Sequence, residues 1–237
     1  MTLRYANDMQ VIPTPHGLRF QQNNVVISEL RTSPGPTHSV FDILAALVVL
    51  LKPTSATGLL GFAGGGMMAP LQALGGTTPL TAVDLDRASY ELFCRHCPQW
   101  VDQIHWHHAE AAAWLRGQKR KFQLLLDDLS IPTHDDVIKP EISWTVLPGL
   151  IQEHLAANGC AVFNLVSPPP GGWSNGLMKI ATLFPQTYLL HLEEFENRIA
   201  VAGTGLPAPR RMGRQLQNLL RKLRSHQAGR VRLRRWK

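Results

Sequence analysis

TGLLGFAGGGMMAPLQALGGTTPLTAVDLD, residues 57–86, decides how the rest of the chain is read. Residues 57–61 form a short apolar run ending in glycine, the pattern of a strand buried on both faces of a parallel sheet. GFAGGG (61–66) follows as a tight turn with almost no side chains, and residues 67–74 read as the first helix of the unit. Residues 80–84 form a second apolar strand that ends in Asp84. A strand, a glycine turn, a helix and an acid-tipped strand make half of a nucleoside site. The turn lets a ligand approach the backbone, and the carboxylate accepts hydrogen bonds from ribose hydroxyls. The same glycines would also suit a βαβ unit in which they serve only close packing.

With 237 residues and 44% hydrophobic content, the chain can bury the core of one α/β domain with a small appendage. Three cysteines argue against a disulfide framework. The first nine residues lack the apolar core of a signal peptide. The most apolar run, residues 40–51, is interrupted by Asp42 and stopped by Lys52 and Pro53. It falls short of the roughly 20 residues that a membrane span requires, so it reads as a buried helix. A cytoplasmic protein with no membrane span is expected.

The net charge of +7 hides an asymmetry. Residues 210–237 carry eleven of the 24 Lys and Arg and no acid, leaving thirteen basic residues against seventeen acids elsewhere. A mildly acidic body carries a basic tail.

The remaining chain alternates strand and helix patterns. Residues 17–20 and 25–27 read as a small β-hairpin, and residues 39–51 as a helix leading to the central unit. Helices over 87–97, 110–117, 142–157 and 174–184 alternate with strands over 104–107, 122–126 and 161–165, Asn158-Gly159 marking the third helix's stop. Residues 187–192 and 198–201 read as a closing antiparallel pair. The fold class is therefore α/β: a mostly parallel, Rossmann-like sheet with helices on both faces and antiparallel final strands. Three segments follow: 1–38 with the hairpin, 39–205 as a nucleoside-binding domain, and 206–237 as the tail with a short amphipathic helix. Ligands are expected at the carboxyl ends of the strands, where Asp84, Asp86, Glu110, Asp127 and Asp128 fall. Single acids at such places are often only helix caps.

These motifs resemble the spermidine synthase-like branch of the class I S-adenosylmethionine-dependent methyltransferase fold, over roughly residues 17–203. GFAGGGMMAPL is similar to that family's glycine loop, with Ala63 where a glycine is usual. VDLD (83–86) resembles its second-strand signature, HHAEAAAWL (107–115) its adenine segment, and FQLLLDDLSIP (122–132) its fourth-strand motif. The resemblance implies cofactor contacts at Gly61, Ala63, Gly64, Gly65, Asp84, Glu110 and Ala111. It implies a catalytic role for Asp128, and S-adenosylmethionine or its decarboxylated form as cofactor. The implied activity is transfer of a methyl or aminopropyl group to an amine or another nucleophilic acceptor.

Departures from the family pattern concern the acceptor. Aminopropyltransferases carry a Tyr-Gln pair near the N-terminus and an Asp-Glu…Tyr-His-Glu segment before the first strand. THSVFDIL (37–44) keeps only His38 of that pattern, and Ile131 replaces the second acid of the fourth-strand motif. A polyamine needs such charges, because burying an unpaired ammonium is costly. Ordinary putrescine transfer is therefore not expected, unless Asp135 and Asp136 supply the missing charge.

Asp127 precedes Asp128, and strand alternation sends neighbours to opposite faces, so one of the two faces the pocket; the motif register selects Asp128. SPPPGG (167–172) would rim that pocket, or be a surface turn. Cys94 and Cys97 with His105, His107 and His108 have the residue types of a zinc site but not its paired tight-turn spacings, and no metal is expected. Two rival readings remain. An NAD-dependent oxidoreductase would use the same loop and Asp84, although the glycines miss G-x-G-x-x-G spacing. A catalytically silent nucleoside-binding protein could instead display the basic tail, with nucleic acid as the tail's partner. A second copy of the chain, as a homodimer, completes the expected partners.

Overall fold

The computed structural model describes residues 3–4, 10–22, 25–51, 56–76, 78–134 and 136–237. Near the N-terminus, β1 (Leu3–Arg4), β2 (Gln10–Thr14), β3 (Gly17–Gln22) and β4 (Val25–Arg31) form an antiparallel sheet in that order. The expected hairpin is its β3–β4 half. Helix α1 (Val40–Leu51) follows, and the acid that interrupts its apolar run has a structural use. Fully buried Asp42 accepts hydrogen bonds from the backbone N–H groups of Thr37 and His38 and from the Thr37 hydroxyl. Its charge thus closes the turn that starts the helix.

The central unit runs as read: β5 (Thr57–Leu60), α2 (Met68–Ala73), β6 (Leu80–Asp84), α3 (Arg87–His96), β7 (Ile104–His108), α4 (Ala111–Arg116) and β8 (Phe122–Asp127). A short ribbon of β9 (Ile131–Pro132) and β10 (Val137–Ile138) leads to α5 (Ile142–Thr145), α6 (Leu147–His154) and β11 (Leu155–Leu165). Then come α7 (Gly172–Leu183), β12 (Gln186–Leu192), β13 (Arg198–Gly203), α8 (Pro209–Lys222) and β14 (Val231–Arg235). Among the described residues the main sheet has the order β14-β12-β13-β11-β8-β5-β6-β7. Pairing is parallel from β11 to β7, whereas β13 runs antiparallel to both β11 and β12. Strand order reverses at β5, between β6 and β8, which is where open α/β sheets bind ligands.

Apolar residues on the two faces of the sheet belong to separate cores. Leu124 and Leu126 pack with α1, α2, α3 and α8, while Leu125 packs with α4, α6 and α7. Both faces are covered, which is why the strands read as continuous apolar runs rather than alternating ones.

Two segments differ from the sequence expectation. The helix expected over 142–157 divides at Val146, and β11 already begins at Leu155. Pro148, in the first turn of α6, cannot donate a helical hydrogen bond. Asn158-Gly159, read as a helix stop, falls where the β11–β8 register shifts between Leu155 and Cys160.

The basic tail is also more built than expected. Its helix forms, with Met212, Leu216, Leu220 and Leu223 buried against the core that α1 shares. Burial of such side chains contributes roughly 1.5–3 kcal/mol each, enough to hold the helix on the body. Beyond it, β14 pairs antiparallel with β12, Leu233 opposite Leu190 and Arg232 opposite His191. The Val231 and Leu233 alternation that drives this pairing is hidden in the sequence by four arginines within residues 230–235. Among the described residues, no helix is long and apolar enough to cross a membrane.

Candidate active site

Each acid at a strand end has a distinct environment. Asp86 caps α3, accepting from the N–H groups of Ala88 and Ser89. Glu110 caps α4 in the same way, its two oxygens accepting from Ala112 at 2.9 Å and Ala113 at 2.7 Å. Asp84 holds the glycine loop: Oδ2 accepts from the N–H groups of Phe62 and Ala63, both at 2.7 Å, and Oδ1 accepts from Asp86 N–H at 2.8 Å. A carboxylate has about four acceptor sites, so roughly one remains for a ribose hydroxyl. Leu85, 67% exposed between two of these acids, offers an apolar surface for a base.

The loop's glycines are required by the protein itself. Gly61 has φ +89°, and a Cβ there would lie 2.7 Å from the Asp128 carbonyl oxygen, so glycine lets the loop close on the end of β8. At Gly64 a Cβ would lie 1.7 Å from the Phe20 ring, which the N-terminal sheet presses onto the loop. Ala63 stands at φ 45°, the left-handed region where the resemblance expects glycine. The loop's composition by itself therefore does not point to a ligand.

Asp127 and Asp128 part company as strand alternation requires. Asp127 is fully buried beside α5, ion-paired with Lys139 Nζ at 2.8 Å and accepting from the Ser143 hydroxyl. Lys139 also donates to the Asp127 and Leu129 carbonyls, clamping the loop after β8. Asp128 faces the opposite way, into a cavity of about 610 Å³. Burial pushes its carboxyl up to about 6, opposed by the Asn164 hydrogen bond and the Lys139 charge. Asn164 Nδ2 donates to Asp128 Oδ1 at 2.7 Å.

The cavity brings Asp128 and Ala63 together with Glu29, Asp136, Glu194 and Glu196. Among the described residues its lining thus carries five carboxylates and no Lys or Arg. Glu29 is ion-paired with Arg19 and Glu194 with Arg230, while Asp128, Asp136 and Glu196 make no ion pair among the described residues. The expected shortage of acids is therefore absent. They arrive on β4, on the β10 turn and on the β12–β13 loop, segments that no local motif marks. Asp135 lies outside the described residues, and Ile131 is 47% exposed on β9. Asp84, Glu110 and Ala111 stand at neighbouring strand ends, outside this cavity's lining.

His38, at φ 61°, lines the cavity and stacks on His226, with ring centroids 3.9 Å apart. Burial, then the His226 charge, lowers its pKa, so a neutral imidazole faces the cavity at neutral pH. Val166 reaches the cavity from just before the 167–172 loop. Cys97 is buried with its Sγ directed at the Arg31 carbonyl, and burial pushes its thiol up to about 12. Among the described residues, no three His, Cys, Asp or Glu side chains group as metal ligands.

No protein-family model matches the sequence. No curated protein matches it either. Solved structures do match the fold. A probable spermidine synthase from Corynebacterium glutamicum superposes with TM-score 0.76 at 12% identity, over 99% of this chain and 90% of that one. A spermidine synthase in complex with the transition-state analogue AdoDATO gives 0.65 at 12% identity, over 96% of this chain and 78% of its own. Human methyltransferase-like protein 13, in complex with SAH, gives 0.59 at 21% identity, over 78% and 90%. The chain has a spermidine synthase-like, methyltransferase-type fold.

Proposed function

We propose that the protein transfers an aminopropyl group from decarboxylated S-adenosylmethionine to a small cationic amine. The observation that carries this reading is the composition of the 610 Å³ cavity: Asp128 and Ala63 of the glycine loop share it with four further carboxylates and, among the described residues, no Lys or Arg. A methionine carboxylate would meet no Lys or Arg there among the described residues, whereas an ammonium group would be favoured. Asp84 would use its remaining acceptor site on the ribose, with Leu85 and Ala111 beside the base and Glu110 at its amino edge. The likeness in fold to spermidine synthases supports the same arrangement.

The chemistry needs positioning more than covalent help. A sulfonium is already an activated leaving group, so holding the amine in line supplies most of the acceleration. The amine lone pair forms a bond to the methylene carbon, the carbon–sulfur bond breaks, and its electrons leave sulfur as a neutral thioether. The proton released from the amine passes to Asp128, whose pKa of about 6 leaves it ionised at neutral pH yet more basic than an ordinary carboxylate.

A second reading, a silent nucleoside-binding protein, is favoured by the ion pairs that already engage Glu29 and Glu194 and leave less charge for an acceptor. Calorimetry with S-adenosylmethionine, its decarboxylated form and methylthioadenosine, followed by assay of methylthioadenosine release with putrescine, cadaverine and spermidine, separates the two. The decarboxylated form should bind tighter than S-adenosylmethionine and turn over with at least one diamine. Binding without turnover leaves the silent reading; no binding at millimolar ligand rejects the cofactor, and unchanged binding in Asp84→Ala rejects Asp84 as its ribose ligand.

A further inference from the structure

We propose that the β14 edge of the sheet is a binding site for single-stranded nucleic acid, held through its phosphates. This is independent of the transfer reaction. Two clefts meet at β14. One, of about 490 Å³, lies between α8 and β14 and contains Arg210, Arg214 and Arg232. The other, of about 390 Å³, contains His191, Arg198, Arg232 and Arg234. Arg232 and Leu233 line both, so the clefts flank the edge strand, one on each face of the sheet, and share its residues.

Register concentrates cations on one face of the sheet. Arg198 on β13 and Arg232 on β14 both stand opposite His191 of β12, one on each side of it. Arg198 and Arg234 lie close enough that Arg234, after burial, helps lower the Arg198 pKa. Glu193, ion-paired with Arg232, is the acid this cluster meets among the described residues. An external anion would relieve this repulsion.

Aromatic rings accompany the cations. The Arg198 guanidinium sits 4.4 Å from the Trp173 ring centroid, and that of Arg234 sits 5.5 Å from Trp236. Cationic grooves with interleaved aromatic rings bind single strands by neutralising phosphate and stacking bases. A lipid surface would instead meet an amphipathic helix lying apolar face down, and α8 already spends its apolar stripe on the core.

Truncation at α8 would delete the buried Met212, Leu216 and Leu220 and uncover the core they pack against, so charge removal is the suitable test. Fluorescence anisotropy with a labelled oligonucleotide of about 20 residues should show binding that weakens steeply with salt. The full-length variant Arg210→Gln/Arg214→Gln/Arg232→Gln/Arg234→Gln should bind at least ~10-fold more weakly near 50 mM salt, with a log-affinity versus log-salt slope flatter by about 3. If that variant does not fold, Arg210→Gln/Arg214→Gln on the exposed side of α8 should flatten the slope by about 1.4. Arg87→Gln/Arg95→Gln on α3, beside the opposite edge of the sheet, should bind like the parent. Unchanged slope in the β14-edge variants, an equal loss in the α3 control, no binding by the parent near 50 mM salt, or tighter binding to phosphatidylserine vesicles would each overturn the proposal.

Discussion

Asn164 holds Asp128 from one side, donating Nδ2 to Oδ1 at 2.7 Å, and its own orientation is fixed by Asn197, whose Nδ2 donates to Asn164 Oδ1 at 2.9 Å. The relay joins β11 and the β12–β13 loop to the end of β8, so the carboxylate that faces the cavity is positioned by one strand and one loop beyond its own. It also opposes the effect of burial on the Asp128 pKa.

Replacing Asn164 with Ala removes the donor that favours the ionised form. The Asp128 pKa should then rise above its value of about 6, and the ascending limb of the pH–rate profile should move to higher pH. A merely structural role would lower the rate without moving that limb. Asn164→Gln, if its amide still reaches Asp128, should restore part of the shift.

Asp128→Asn should separate stability from turnover. The folded-state pKa of about 6 lies above the ordinary 3.8, so the native protein holds this proton more tightly than the unfolded chain. The associated stability is fully present below pH 3.8 and is lost as pH rises through about 6. At about pH 8 the neutral amide should therefore raise unfolding free energy by roughly 2 kcal/mol, and at about pH 4 by little. Transfer should fall by roughly 100-fold or more. Denaturant titrations at the two pH values, beside a rate assay, check both halves.

Lys139→Met should be the most damaging substitution near the site without touching the cavity. It leaves the fully buried Asp127 charge without its cation. Breaking such a pair costs about 3–5 kcal/mol, and the double variant Asp127→Asn/Lys139→Met should recover much of it. Urea unfolding of the three variants gives the comparison.

Ala63→Gly should stabilise the protein, because its φ of 45° is strained for any residue with a Cβ. Relief of that strain outweighs the added freedom of glycine in the unfolded chain by about 0.5–1 kcal/mol. A rise in the thermal midpoint, with the Asp84 hydrogen bonds to residues 62 and 63 retained, is the expected result.

The central unit was legible in the amino-acid sequence alone. A strand buried on both faces must be a continuous apolar run, and a chain that closes on the end of β8 must carry glycine at 61, so residues 57–86 read correctly as strand, turn, helix and acid-tipped strand. Alternation along β8 likewise placed Asp127 and Asp128 on opposite sides before any coordinates. What surrounds Asp128 was set by long-range packing. Asn164, Asn197, Glu29, Glu194 and Glu196 come from segments far apart in the chain, and nothing local in them signals a shared cavity. The same holds at the sheet edge: the arginines of 230–235 look like a solvated run until pairing with β12 shows that Val231 and Leu233 face the core. Local periodicity encodes burial, residue by residue. Which distant segments meet is set by the cooperative closure of the sheet and its helices, and that information is spread over the whole chain.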